Sequence, residues 1–332
     1  MTKKMTMREV AKLANVSQPT VSRVINGNKD VSEEIVKRVM QVIEEVGFVP
    51  NKTAQTLKRN QSKLIGISVT EIYNPYFVEL IDHLESEARK RGYNIILHNS
   101  KHNSILEWEN IQNFMARQID GFLLVPTGEY NLPRISKLPI PSVVVTQSIK
   151  GFDSVGLNHL QAGRLVAEQF MRAGHDTFGY IGIDADDKFR GFENTLYENQ
   201  MHFNPEHFIA VPDGESSNLL IRKAIEGYLE QNKEFPFSCV FASNDVMALE
   251  FMKIAQERGI RIPEDISLIG FDDTYLAKVM GISSIHQPIE EMITTTLTLL
   301  INRIEQEVAS ETVSIQLEPT LIERNSSRHR RT

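Results

Sequence analysis

The chain has 332 residues, enough for two or three modules and a sizeable core, and its 41% hydrophobic and 24% charged residues are those of an ordinary soluble globular protein. Its one cysteine, Cys239, excludes a disulfide framework or a multi-cysteine metal site. The formal net charge is -7, and no apolar run approaches the roughly 18 residues of a membrane span.

That charge is divided unevenly. Residues 1–60 carry 11 Lys+Arg against 6 Asp+Glu, whereas residues 61–332 carry 25 against 37. A small basic head on a large acidic body suits a head that meets a polyanion and a body that stays off it. Lys3 and Lys4 are followed by Arg8, Glu9 and Lys12 instead of an apolar signal core, so the expected location is the cytoplasm.

Thr6-Met7-Arg8-Glu9 fits a capping box at the start of a first helix, with Val10, Leu13 and Ala14 on one apolar face. Asn15-Val16 breaks it. Ser17 is placed to cap a second helix from Gln18 to about Asn26, with Pro19 in its first turn and Val21, Val24 and Ile25 on its buried side. Ser32 is placed to cap a third, with Glu33 and Glu34 at its positive end and Val36, Val39, Met40 and Ile43 facing inward. Two short helices, a tight turn and a bracing third describe a helix-turn-helix unit. The second helix turns Gln18, Thr20, Ser22, Arg23 and Asn26 outward. Gln and Arg bond bidentately to adenine and guanine edges, and hydroxyls suit phosphates. A solvated polar face is the alternative reading of the same residues.

VSQPTVSRVINGNKDVS followed by GFVPNKTAQTLKRNQS resembles the head and hinge of the lactose/galactose-repressor (LacI/GalR) family of bacterial transcription regulators. The resemblance implies a minor-groove hinge helix at about Lys52–Arg59, with Leu57 as a wedge between central base pairs and Lys52, Lys58 and Arg59 near phosphates. A flexible interdomain linker is the other reading of that stretch. The implied DNA-binding set is Thr6, Ser17, Gln18, Pro19, Thr20, Ser22, Arg23 and Asn26 in the head, and Asn51, Lys52, Ala54, Leu57 and Lys58 in the hinge.

From Leu64 short apolar runs alternate with amphipathic helices. Strands are predicted at Leu64–Val69, Ile95–Leu97, Phe122–Val125 and Val143–Val145, with helices from Pro75 to near Gly92 and around Ile105–Ala116. The helix from Pro75 carries Phe77, Leu80, Ile81 and Leu84 as its stripe. After Asn158 the scheme repeats: a helix at Ala162–Ala173, then strands at Phe178–Ile183, Phe208–Val211, Ser238–Phe241 and Ile266–Ile269, with helices at about Asn218–Glu230 and Asp245–Arg258. Such alternation implies parallel sheets covered by helices on both faces, and two such halves imply two lobes with a cleft at the strands' carboxyl ends.

NPYFVEL, DGFLLVP, FASNDVMALEFM and DISLIGFDDT resemble the same family's core. The fold expected is an N-terminal all-α helix-turn-helix head plus an α/β two-lobed periplasmic-binding-protein-like core of two parallel doubly wound sheets. Its parts are a head at 1–50, a hinge at 51–62, a first lobe at 63–158 with 288–316, a second at 159–287 with 317–325, and a disordered basic tail at 326–332. The chain is expected to cross between lobes near Asn158, Gln287 and Leu317, with a helix at Met292–Ile304 and a last strand at Thr320–Ile322.

The sequence contains no GxGxxG, no GxxxxGK[ST] and no HExxH. His98 and His102 span a strand end and a loop and read as surface residues; Cys239 reads as core. No catalytic constellation is found, so the protein is not read as an enzyme, and neither a cofactor nor a metal is expected. The resemblance places effector contacts at Tyr76, Phe77, Thr146, Lys188, Asn244 and Asp272. A carboxylate that accepts two hydrogen bonds suits a vicinal diol, hence a sugar-like ligand.

Three departures bear on that assignment. Lys188, in a loop before Gly191-Phe192, stands where the family commonly has arginine; Thr146 stands for a common aspartate; Glu215 and its neighbours supply no aromatic. Lys188 and Arg190 either favour an anionic ligand, a sugar acid or sugar phosphate, or pair with Asp184, Asp186 and Asp187.

The sequence thus reads as an effector-responsive repressor of a carbohydrate-utilisation operon, binding near-palindromic operator DNA as a homodimer. Control by a protein partner or a corepressor is the alternative within the family. An exported solute-binding protein needs a signal and no basic head.

Overall fold

The computed structural model describes residues 5–25, 27, 30–48, 61–183, 186–212, 218–305 and 311–327. The chain divides into two units, Met1–Ser62 and Lys63–Thr332. The first contains α1 (Met7–Leu13), α2 (Gln18–Ile25) and α3 (Glu33–Glu45). Thr6 closes a full capping box on α1: its hydroxyl accepts the N–H of Glu9 at 3.3 Å, and the Glu9 carboxylate accepts the N–H of Thr6 at 2.8 Å. The turn into α2 passes through Asn15 at φ 52°, a left-handed conformation that asparagine tolerates. Ser17 Oγ accepts the N–H of Thr20 at 3.3 Å. Val10, Ala11, Ala14, Val21, Val24, Val39 and Phe48 form the core of this unit.

Two expectations for the head fail. Ser32 stands at the N-cap of α3, but its side chain makes no capping bond, leaving the acidic first turn of Glu33 and Glu34 to favour that end. Leu13 and Met40 point outward, 57% and 50% exposed, because their neighbours Ala14 and Val39 take the inner positions.

The second unit contains two six-stranded sheets. Its strands are β1 (Leu64–Val69), β2 (Asn94–Asn99), β3 (Gly121–Leu124), β4 (Ser142–Thr146), β5 (Ser154–Leu157), β6 (Phe178–Gly182), β7 (Phe208–Ala210), β8 (Cys239–Ala242), β9 (Ser267–Asp272), β10 (Ser283–His286), β11 (Ser314–Leu317) and β12 (Thr320–Ile322). The helices are α4 (Pro75–Lys90), α5 (Ser104–Ala116), α6 (Leu132–Ile135), α7 (His159–Arg172), α8 (Asp187–Glu198), α9 (Asn218–Asn232), α10 (Asp245–Glu257), α11 (Tyr275–Met280) and α12 (Ile289–Glu305).

The first sheet runs β11-β5-β4-β3-β1-β2 with every pairing parallel. The second runs β12-β10-β9-β8-β6-β7, parallel except where β12 pairs antiparallel with β10. β3, β5, β6, β8 and β9 are buried at every residue, as strands covered on both faces require.

The sheets exchange the chain three times: after β5, after β10 and after β11. Asn158 ties two of these crossings, capping α7 through Oδ1 and donating from Nδ2 to Glu318 at 3.2 Å.

Three expectations are corrected here. Leu317 belongs to the first sheet, where it pairs with Leu157, so the last crossing begins one residue later. The segment around Lys188 is no loop; α8 begins at Asp187 because Asp186 caps it, accepting the N–H of Lys188 at 3.0 Å. The expected disordered tail begins too early. Ser326 is 2% exposed, with its hydroxyl donating to the carbonyl of Leu268 at 2.7 Å and accepting the N–H of Ser283 at 2.8 Å. Residues 328–332 lie outside the described residues.

Candidate functional site

In the head, Ser17, Gln18, Pro19 and Arg23 are exposed and Thr20 and Ser22 half-buried, while Val21 and Val24 are the buried residues of α2. A face carrying glutamine and arginine on a helix of eight residues is what major-groove readout needs. Three hydroxyls are already engaged. Thr6 Oγ1 donates to Glu9 at 2.8 Å, and those of Ser17 and Thr20 bond each other at 2.8 Å. Asn26, Asn51, Lys52, Ala54, Leu57 and Lys58, and the hinge helix as a whole, lie outside the described residues.

In the second unit, the carboxyl ends of β1 and β9 meet between the lobes. Asn74, just past β1, accepts the N–H of Tyr76 at 3.0 Å to cap α4 and donates to Asp272 Oδ2 at 3.5 Å. Asp272 ends β9; its other oxygen accepts Nε2 of Gln287 at 2.7 Å. Burial, then the neighbouring Asp245 carboxylate, pushes Asp272 well above the usual carboxylate range, although Lys188 and the two amide donors pull the other way. Asp245 lies deeper: its oxygens accept from Ser284 Oγ at 2.7 Å and from the N–H and hydroxyl of Thr274 at 2.7 and 2.9 Å. Burial raises it to about 6.

Lys188 enters from α8. Its ammonium donates to the carbonyl of Ser243 at 2.8 Å, lies 3.2 Å from Asp186 Oδ2 and sits 4.3 Å from the centre of the Phe271 ring. His159, the first residue of α7, packs edge-on against Phe271, and burial followed by the charge of Lys188 lowers it to about 4. Thr146 and Asp272 both hold positive φ, 77° and 108°, at strand ends. Non-glycine residues in that region carry strain that the surroundings must hold, and such positions gather at sites.

The six expected effector residues are therefore only partly brought together. Lys188 and Asp272 share one electrostatic neighbourhood. Asn244 adjoins it, but its Oδ1 is engaged as the cap of α10, accepting the N–H of Met247 at 2.8 Å. Tyr76 is 4% exposed, with its hydroxyl toward Met292 Sδ at 3.7 Å, and it packs against the half-buried Phe77. Thr146 is buried on the first sheet, and its side chain bonds none of the other five. Asn74, His159, Phe271 and Gln287 were not anticipated as site residues, and Asp186 was anticipated only as an ion-pair partner, which it is for Lys188 while Asp187 takes Arg190. Asn74-Pro75 signals only a helix start, and Gln287 only a chain crossing. Among the described residues no three His, Cys, Asp or Glu are grouped to hold a metal ion, and no helix is long and apolar enough to cross a membrane.

Residues 6–51 match the model of the bacterial regulatory proteins of the lacI family, and residues 167–327 match a periplasmic binding protein-like domain. The ribose operon repressor of Haemophilus influenzae is 32% identical over 97% of this chain and 98% of its own. The HTH-type transcriptional repressor PurR of Aliivibrio fischeri is 30% identical over the same shares of the two chains. The chain belongs to the lacI family of bacterial regulatory proteins.

Among solved structures, the cellobiose complex of the transcriptional regulator CelR superposes with a TM-score of 0.70 at 25% identity, covering 97% of this chain and all of the other. As a lacI-family protein it is a DNA-binding transcription regulator and not an enzyme.

Proposed function

We propose that the protein represses a carbohydrate-utilisation operon in the cytoplasm, reading a near-palindromic operator as a homodimer and releasing or gaining it when a small polyhydroxylated effector enters the interlobe cleft. One head reads one half-site, so two copies are needed for a two-fold operator. The observation that carries the reading is α2: a capped, core-backed helix whose outward face holds Gln18 and Arg23. The sugar reading is supported by the ribose operon repressor and the cellobiose-bound regulator among its relatives, and by the buried Asp272 at the carboxyl end of β9, whose oxygens accept from Asn74 and Gln287 and can exchange either amide for a ligand hydroxyl. Lys52–Arg59 acts as the hinge helix in this scheme, and Leu57 as its minor-groove wedge.

An effector shifts such an equilibrium only by the difference in its affinity for the two states. The test is selection of operator sequences from random duplex DNA with the full chain, followed by titration with candidate sugars. A palindromic consensus whose occupancy changes with one sugar supports the reading. Binding without sequence preference sinks it.

A further inference from the structure

The ammonium of Lys188 has three N–H donors, and three neighbours surround it. The Ser243 carbonyl accepts at 2.8 Å, the Asp186 carboxylate stands 3.2 Å away, and the Phe271 ring lies beneath it at 4.3 Å. The side chains of Lys188 and Asp186 are each only 15% exposed. Asp272 also acts on Lys188, with Asp245 behind it. The carboxylate in direct contact with this ammonium is Asp186, so the charge of Lys188 already has its counter-charge. Arg190, the other basic residue of this segment, points away and pairs with Asp187 at 2.8 Å, 60% exposed.

The hydrogen-bonding balance points the same way. Gln287 is 3% exposed, gives its Nε2 to Asp272, and leaves Oε1 buried with no hydrogen-bond partner. A buried acceptor without a donor costs about 1–3 kcal/mol, so a ligand that supplies a donor there recovers it. A ligand that brings another anion to Lys188 meets the Asp186 carboxylate in a partly dehydrated site, where like charges are poorly screened.

We propose that Asp186 sets the charge class of the effector: by occupying Lys188 it makes the cleft accept an uncharged or amine-bearing polyol and refuse the uronate or phosphate counterpart. This rests on the reading of the cleft as the effector site. The cap role of Asp186 makes the test clean. In Asp186→Asn the side-chain oxygen still accepts the N–H of Lys188, and asparagine is as good an N-cap as aspartate, so α8 is kept while Lys188 is released.

The experiment is thermal shift and calorimetry of the full chain with matched series of hexoses and pentoses: the neutral sugar, its amino sugar, its uronate and its phosphate. For the wild type, a neutral or amino member binds and its anionic counterparts bind at least about tenfold more weakly, a difference of about 1.4 kcal/mol. In Asp186→Asn the anionic counterpart gains about tenfold, and adding Lys188→Met removes that gain.

A wild type that prefers the anionic member overturns the proposal, as does an Asp186→Asn variant that ranks every series as the wild type does. Silence of both proteins to all series overturns it as well. Operator binding is measured in parallel. Loss of the regulator reading shows as absence of a specific operator, whereas failure of this inference alone leaves operator binding intact.

Discussion

Glu79 and Tyr275 join the two lobes: a carboxylate oxygen of Glu79, on α4, accepts the N–H of Tyr275, the first residue of α11, at 2.8 Å. The first amides of a helix have no partner of their own, and a carboxylate there also meets the positive end of the helix dipole. Glu79→Ala is expected to cost about 1 kcal/mol of stability and to increase the radius of gyration of the effector-free chain in small-angle scattering. Glu79→Gln keeps an acceptor oxygen and changes both less. Identical scattering and melting for wild type and alanine variant would mean that this bond does not hold the lobes.

The position of Lys188 depends on how closely α7 and α8 cross. A Cβ on Gly163 would run into the Lys188 carbonyl and the Phe192 amide, and one on Gly191 into the backbone of Leu160. Both clashes are with backbone, which has nowhere to go. Gly163→Ala and Gly191→Ala are each expected to destabilise by about 3 kcal/mol or more, the upper end of overpacking. Gly227, inside α9, is the control: a Cβ there meets nothing within 4 Å, so Gly227→Ala should stabilise by about 0.5–1 kcal/mol. Denaturant melts of the three variants decide it.

That crossing also shows what the sequence hides. β1, β3, β6, β8 and β9 are legible as runs because strands buried on both faces are mostly apolar. The long helices are legible through their stripes. β5, β10 and β11 are not: SVGL, SSIH and SIQL carry polar residues whose partners lie far along the chain. Ser284 donates to Asp245, Ser283 bonds Ser326 and Ser327, and Ser154 donates to Ser314. α8 is hidden because Gly191 stands in its middle, where glycine argues against a helix unless a neighbour must come close. The site is legible in the same proportion. Asp272 and Lys188 carry chemistry that a sequence shows, whereas Asp186 and Gln287 gain theirs only from what they face.

His159 gives the cleft a pH signature. Burial and Lys188 lower it to about 4 from the ordinary 6.5, with Asp186 and Asp187 acting in the opposite sense. Between those values the unfolded chain binds a proton that the folded chain does not. Its contribution is therefore complete above about 6.5 and is lost as the pH falls toward 4. Asp245, raised to about 6 from 3.8, works in reverse, losing its contribution as the pH rises through 6. Comparing His159→Gln with wild type cancels the Asp245 contribution. From about pH 7.5 to about pH 5 the wild type should lose more melting temperature than the variant; equal losses would place His159 in water.

The carboxyl-terminal strap is expected to matter for the same turn. Arg324 pairs with Asp273, next to Asp272, and donates to the Ile282 carbonyl at 2.8 Å, while His286 Nδ1 lies 3.0 Å from the other Asp273 oxygen. The Arg324 and Asp273 side chains are 18% and 5% exposed. Removing one partner of a buried pair costs about 3–5 kcal/mol when the other is left unpaired, but Asp273 keeps His286 and, at 3.8 Å, Lys278. Arg324→Met should destabilise by somewhat less, about 2–3 kcal/mol. Pairing it with Asp273→Asn should recover part of the loss, measured as a double-mutant cycle. Strict additivity of the two changes would show that the pair does not act as a unit.

Arg23 tests the head most directly. It is exposed in the last turn of α2, on the face away from Val21 and Val24. A guanidinium there has a planar fork that matches the O6 and N7 acceptors of guanine, and it is equally able to hold a phosphate. The two roles leave different marks. As a base contact, Arg23→Ala costs about 1–3 kcal/mol on the selected operator and relaxes preference at one base pair of each half-site, with little change on unrelated DNA. As a phosphate anchor, the same change weakens all sequences alike and lowers the salt dependence of binding by about one ion per head. The first outcome is expected, since the proposed function has α2 read base edges with Gln18 and Arg23. Binding curves on operator duplexes mutated one base pair at a time, repeated at two salt concentrations, separate the two.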